Sequence, residues 1–191
     1  MGNHLTSMRC SELKILRICA LSLVLVNPAW VKAEELFDPF LGKYTGHAEI
    51  AIDGAQNRRD LGVTIARSKD GFSVSWTTTT IKPSGKLKTK SYSIDFVPTR
   101  RGGVYSSAMK TNVFGGRVAL DPMQGDPYVW ARIVGPIFTV FALLILDDGG
   151  YEMQVYERTL TNNGLDLVFS RVHNGEQLKE IRATLNRVKD N

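Results

Sequence analysis

Apolar and polar residues alternate with a period of two along most of the chain after Gly42. In Gly42–Ile52, Tyr44, Ala48, Ile50 and Ile52 fall in one phase and Lys43, Thr45, His47 and Glu49 in the other, as in a strand with one buried face. Polar residues 53–58, with Gly54, read as a turn, and a second strand is expected over Asp60–Arg67. After Lys69-Asp70-Gly71, the segment Phe72–Ile81 sets Phe72, Val74 and Trp76 against Ser73, Ser75, Thr77 and Thr79, and in Leu87–Val97 Tyr92, Ile94 and Phe96 share a phase. Val104–Met109 and Tyr128–Ile133 are further strands. Between them, residues 111–127 carry Gly115, Gly116, Pro122, Gly125 and Pro127 and form one long loop.

From Ile133 to Arg187 the punctuation is regular. Asp147-Asp148-Gly149-Gly150, Thr161-Asn162-Asn163-Gly164 and Asn174-Gly175 are hairpin turns, because Asn and Gly accept the positive φ such turns require. They separate Ile137–Leu146, Tyr151–Leu160, Leu165–His173 and Gln177–Arg187. The first is almost continuously apolar, which predicts a strand buried on both faces or facing a partner. The last also fits a helical stripe through Leu178, Ile181, Leu185 and Val188, but a closing strand beside the first decides for strand. About ten antiparallel strands with almost no helix leave two bare edges unless the sheet closes. The expected fold is therefore all-β, an up-and-down barrel.

The first 33 residues have a different character. Arg9, Lys14 and Arg17 precede an apolar run, Ile18–Val26, then Pro28 and the small-residue site Val31-Lys32-Ala33, the layout of a secretory signal peptide cleaved after Ala33. The run is shorter than the roughly 20 residues that span a bilayer. A single barrel domain over residues 34–191, periplasmic or secreted and without a membrane span, is the expected product. Cys10 and Cys19 both leave with the signal, so no thiol chemistry and no disulfide is expected. The signal also carries a net +3 of the formal +5, which leaves +2 and removes the case for nucleic acid. An outer-membrane barrel is disfavoured because Asp60–Arg67 and Gln177–Arg187 carry charges throughout.

Gly42-Lys43-Tyr44 and an arginine of the last strand, Arg182 or Arg187, resemble the ends of calycin barrels, the superfamily of lipocalins and fatty-acid-binding proteins. There a Gly-x-Trp opens the first strand, its aromatic closes one barrel end, and an arginine packs over it. Tyr stands here in place of Trp, and the family's middle Thr-Asp-Tyr motif has no counterpart. The resemblance implies barrel-end packing by Tyr44 with Arg182 and a central cavity. The run Gly149–Arg158 also resembles a family of exported bacterial barrel proteins.

Catalytic signatures are missing: no HExxH, Gly-x-Ser-x-Gly, phosphate loop or dinucleotide fingerprint. No enzyme activity, catalytic residue, metal or cofactor is expected. His47 and His173 read as surface residues, Asp147-Asp148 as turn residues, and Asp121 and Asp126 as part of a rigid proline loop. One constellation remains. With two- or four-residue hairpin loops, Phe141, Leu143 and Ile145 share a face with Gln154, Tyr156, Arg158 and Leu160, and with Leu165, Leu167, Phe169, Arg171 and His173. If that face is interior, Gln154, Tyr156, Arg158 and Arg171 line a binding site, where guanidinium and phenol could hold the acid of a small apolar or amphipathic ligand. If it points outward, Ala142, Leu144, Leu146, Met153, Val155, Val168 and Val172 fill the interior. Two functions follow: an exported small-molecule-binding barrel, or an envelope interaction protein with a filled barrel and Phe138, Phe141 and Leu143 exposed to a partner.

Overall fold

A computed structural model describes residues 35–52, 55–81, 85–107, 110–111, 117–118 and 120–189. The expected signal and its cleavage point at Ala33 lie outside the described residues. The strands are β1 (Gly42–Ile52), β2 (Ala55–Ser68), β3 (Gly71–Ile81), β4 (Leu87–Pro98), β5 (Val104–Ser107), β6 (Lys110–Thr111), β7 (Arg117–Val118), β8 (Tyr128–Val134), β9 (Ile137–Ile145), β10 (Tyr151–Leu160), β11 (Gly164–His173) and β12 (Glu176–Arg187). Ten of them form a closed antiparallel ring in the order β1-β12-β11-β10-β9-β8-β5-β4-β3-β2, and β6 and β7 pair separately as a short ribbon. Each barrel strand thus lies beside its neighbours in sequence, except where the β6–β7 excursion separates β5 from β8.

The ambiguous last segment is a strand. It pairs with β11 along its length, with a bulge at Arg171/Val172, and closes the ring through Tyr44↔Arg187, Thr45↔Asn186 and Gly46↔Leu185. Backbones approach closely at this seam. A Cβ on Gly46 would lie 2.3 Å from the Thr184 carbonyl oxygen, and one on Gly164 would lie 2.0 Å from that of Leu185. The Asn174-Gly175 turn has φ of 47° and 87°, the left-handed pair that an Asn-Gly hairpin requires.

Two expectations shift. Residues 55–58 are not a turn: Ile52 pairs with Ala55, so β2 begins immediately after the hairpin tip. The long loop contains its own ribbon and a 3-10 turn, Pro122–Gln124, whose first backbone donors Asp121 caps through its carboxylate to Met123 N, 3.0 Å.

One barrel end is filled by aromatic side chains. Phe72 is fully buried and packs on Phe37, Phe96, Tyr105 and Phe138 at centroid distances of 4.8, 5.3, 5.0 and 5.6 Å. Truncating such a ring to alanine costs about 3–5 kcal/mol. Phe37 and Phe40 plug this end from in and beside a 3-10 turn, Asp38–Phe40, and are buried. Tyr44 donates to the Phe40 carbonyl at 2.7 Å.

The arginine over Tyr44 is Arg187, not Arg182. The Arg187 guanidinium lies 4.8 Å from the Tyr44 ring and donates to the carbonyls of Leu41 and Pro39, satisfying backbone acceptors of the plug. Arg182 faces outward and pairs with Glu180 at 2.8 Å in solvent. The reason is parity: Ala183, Leu185 and Arg187 share the inner phase of β12, and an even-numbered residue there cannot reach the plug. Gly42 belongs to the same arrangement, since a Cβ there would lie 2.5 Å from Arg187 Nη1.

Candidate functional site

Above the aromatic plug the barrel holds a cavity of about 180 Å³. Its apolar walls include Ala48, Ile50, Leu61, Val63, Leu167 and Ile181. Four aromatic rings meet across the interior, two from β3 and β4 and two from β10 and β11: Tyr92 stacks on Trp76 at 5.5 Å, Trp76 meets Tyr156 at 5.7 Å, and Tyr156 meets Phe169 at 4.8 Å. The cavity runs out to Tyr92, which is 52% exposed. The volume is small beside the roughly 300–1,000 Å³ of drug-sized pockets, which suits a slender molecule entering end-on.

The strand register decides which side chains reach the interior. Leu160 pairs with Leu165, Tyr156 with Phe169 and Gln154 with Arg171, so Gln154, Tyr156, Arg158 and Arg171 do share one inward face. Phe141, Leu143 and Ile145 do not join them. Tyr156 pairs with Val140, Arg158 with Phe138 and Gln154 with Ala142, and the odd-numbered residues of β9 point outward. The connection explains the difference. Gly149 N bonds back to Leu146 O at 2.9 Å and Leu146 N to Gly150 O at 2.8 Å, which leaves a three-residue tip with Gly149 at φ 82°. An odd loop of this bulged kind reverses the parity that two- and four-residue loops keep. Neither sequence alternative is realised whole: Ala142 lies inside with the β10 polar residues, while Met153, Val155, Val168 and Val172 lie outside.

The four polar residues have distinct environments. Glu152, on the same inner face, accepts from Arg171 Nη2 and, at 2.6 Å, from Gln154 Nε2. The Tyr156 hydroxyl donates to Gln154 Oε1 at 2.9 Å. Burial raises the Glu152 pKa, but the bonds from Arg171 and Gln154 and the charges of Arg171 and His173 outweigh it and bring the carboxyl below its ordinary value. Burial raises the Tyr156 phenol against the opposing pull of Arg158. Arg171 is thus already paired.

Arg158 is not. It is 2% exposed, its Nη1 has a 3.4 Å bond to the Tyr156 carbonyl, and its Nε has no partner among the described residues. Its guanidinium lies over the rings of Phe138 at 5.6 Å and Tyr156 at 5.7 Å. Burial draws its pKa down to about 10, so the group is still protonated at neutral pH. A buried cation without a carboxylate costs several kcal/mol, and it sits where the cavity meets the aromatic plug.

Arg59 is a site residue the sequence reading missed. It lines the cavity and its Nε is likewise buried without a partner among the described residues. The signal was the odd-numbered phase of Leu61, Val63 and Ile65, which continues back through Arg59 and Asn57 once residues 55–58 are strand. His47 and His173 line no part of this cavity, and among the described residues no three His, Cys, Asp or Glu side chains converge as a metal site would need. No described helix is long and apolar enough to cross a membrane.

No protein-family model and no curated protein matches the chain. Among solved structures, an S-type phycobiliprotein lyase from Guillardia theta is matched with a TM-score of 0.33 and 7% identity, over 81% of this chain and 92% of that one. A likeness this distant says nothing of what the chain binds; the barrel assignment rests on the strand pairing above.

Proposed function

We propose that this protein is an exported binding barrel of calycin type for a small amphipathic molecule, its acidic group held by Arg158 and its apolar body by the aromatic rings. The observation that carries the proposal is Arg158, a fully buried guanidinium with an unpartnered Nε at the inner end of a cavity with largely apolar walls. A carboxylate or phosphate entering the cavity would supply the planar, bidentate acceptor that the protein withholds. Tyr156, which lines the cavity, would orient the ligand, with Gln154 holding its hydroxyl, and Arg171, held by Glu152 outside the cavity lining, would shape the electrostatics nearby. The Gly42-Lys43-Tyr44 start with Arg187 over Tyr44 supports the calycin reading. The basic and apolar pattern of residues 1–33 supports export with cleavage after Ala33.

The test is native mass spectrometry of the protein purified gently from a periplasmic extract. A chain beginning at Glu34 with an acidic adduct that is lost on denaturation is the expected result, and Arg158→Gln should abolish the adduct. A bare chain that also fails to take up long-chain acids would sink the carrier reading. The second reading, a partner-binding envelope protein, draws on a different surface. Phe138 is buried and drops out of it, but Trp130 stacks on Phe141 at 4.9 Å on the outer face beside Tyr128, an apolar row of the kind found at interfaces.

A further inference from the structure

Resting on that reading, we propose that the ligand is a dianion, with one charge met by Arg158 and the other by Arg59. Each residue contributes a buried Nε with no hydrogen-bond partner among the described residues, and they are the two side chains of which this is true. Both line the same cavity. Arg158 stands on β10 and Arg59 on β2, with β11, β12 and β1 between them on one side of the ring and five strands on the other. The two guanidinium groups therefore reach in from nearly opposite walls. A monoanion satisfying one would leave the other as it is.

The surrounding charges point the same way. Lys179 faces inward on β12, opposite Arg171. Its pKa is lowered first by burial and then by the charges of Arg59 and Arg171, which marks a crowd of cations. Glu152 forms its ion pair with Arg171. No carboxylate lies within ion-pair distance of Arg59 among the described residues, so this part of the interior is short of negative charge. A second anionic group would relieve the crowding. Two chemistries offer it: a chain with an acid at each end, or a single doubly ionised headgroup such as a phosphate monoester.

Titration calorimetry near neutral pH with dodecanoate, dodecanedioate and dodecyl phosphate separates these, because the apolar length is constant. We expect at least one dianion to bind about tenfold or more tightly than dodecanoate, and Arg59→Gln to erase that preference. Tighter dodecanedioate places the charges at two ends; tighter dodecyl phosphate places them at one. Arg59→Lys, which keeps the charge, should keep part of the preference, and circular dichroism verifies that both variants fold. Equal affinity for all three probes, or a dianion preference untouched in Arg59→Gln, would overturn the proposal while dodecanoate binding that depends on Arg158 left the carrier reading intact. Failure of every probe to bind the unaltered protein would overturn both.

Discussion

If Arg158 is kept for a ligand and not for the fold, replacing it should make the empty protein more stable. Arg158→Met tests this, since methionine retains a long flexible stem and carries no charge. Burial takes the Arg158 pKa from the ordinary guanidinium range down to about 10, and at about 1.36 kcal/mol per pH unit the charged form is disfavoured by roughly 3 kcal/mol. Methionine forfeits the placement over Phe138 and Tyr156, about 1 kcal/mol, and the long bond to the Tyr156 carbonyl, about 0.5 kcal/mol. The net expectation is a gain of about 1–2 kcal/mol, which raises Tm by about 2–8 °C in a domain of this size. The folded pKa is lowered, so the unfolded chain begins to hold the extra proton only as pH rises through about 10. The handicap of the arginine is therefore complete below pH 10, and the gain should be constant across the neutral range. Urea unfolding and calorimetry of the ligand-free proteins measure it, and dodecanoate affinity should fall at least about thirtyfold in the same variant. A drop of several degrees in Tm would show that Arg158 supports the fold, and the reasoning from an unpartnered buried charge would be refuted.

Three further outcomes follow from the geometry. Arg187→Ala should lower stability by about 2 kcal/mol by stripping the Leu41 and Pro39 carbonyls of their donor, whereas Arg182→Ala should stay within about 0.5 kcal/mol; denaturant midpoints distinguish them. Val155→Asp, on the outer face, should still fold, while Val74→Asp should not, because Val74 is fully buried; circular dichroism of the two proteins reverses the assignment if the outcomes exchange. The lowered pKa of Glu152 contributes stability that is present above the ordinary carboxylate range and lost as pH falls through the folded value. Melting temperatures recorded from neutral pH down to about pH 3 should therefore decline less steeply in Glu152→Gln than in the unaltered protein.

Strand count and closure were legible because both depend on signals a few residues long. The phase of Tyr44, Ala48 and Ile50 and the turns at Asn163-Gly164 and Asn174-Gly175 carry over unchanged into β1, β11 and β12. The site was half legible. Gln154, Tyr156, Arg158 and Arg171 share a face because the β10–β11 loop preserves parity, and the sequence could state that condition. It could not state whether Asp147–Gly150 would make an even or an odd tip, since two glycines allow several turns; hence Phe141 was grouped with Tyr156 and Arg158, where Val140 and Ala142 stand. Arg59 was hidden by polar residues 55–58, whose composition reads as loop until pairing with β1 overrides it. Arg182 and Arg187 differ only by parity relative to a plug, residues 37–40, that carries no strand pattern of its own.

The seam between Tyr44 and Arg187 also sets a schedule. Most barrel contacts join strands adjacent in sequence and can form as soon as a hairpin exists. The β1–β12 pairing joins the first and last strands of the barrel and waits for β12. Until Leu185 arrives, β1 and β11 both stand as unpaired edges, and unpaired edges invite association with other chains. Closure is thus the slow, long-range step, and β12 acts as its latch. A chain ending a few residues short of Arg187 would lose the ring seam and the plug's donor in one event, and should associate through its open edges rather than persist as a slightly weakened barrel.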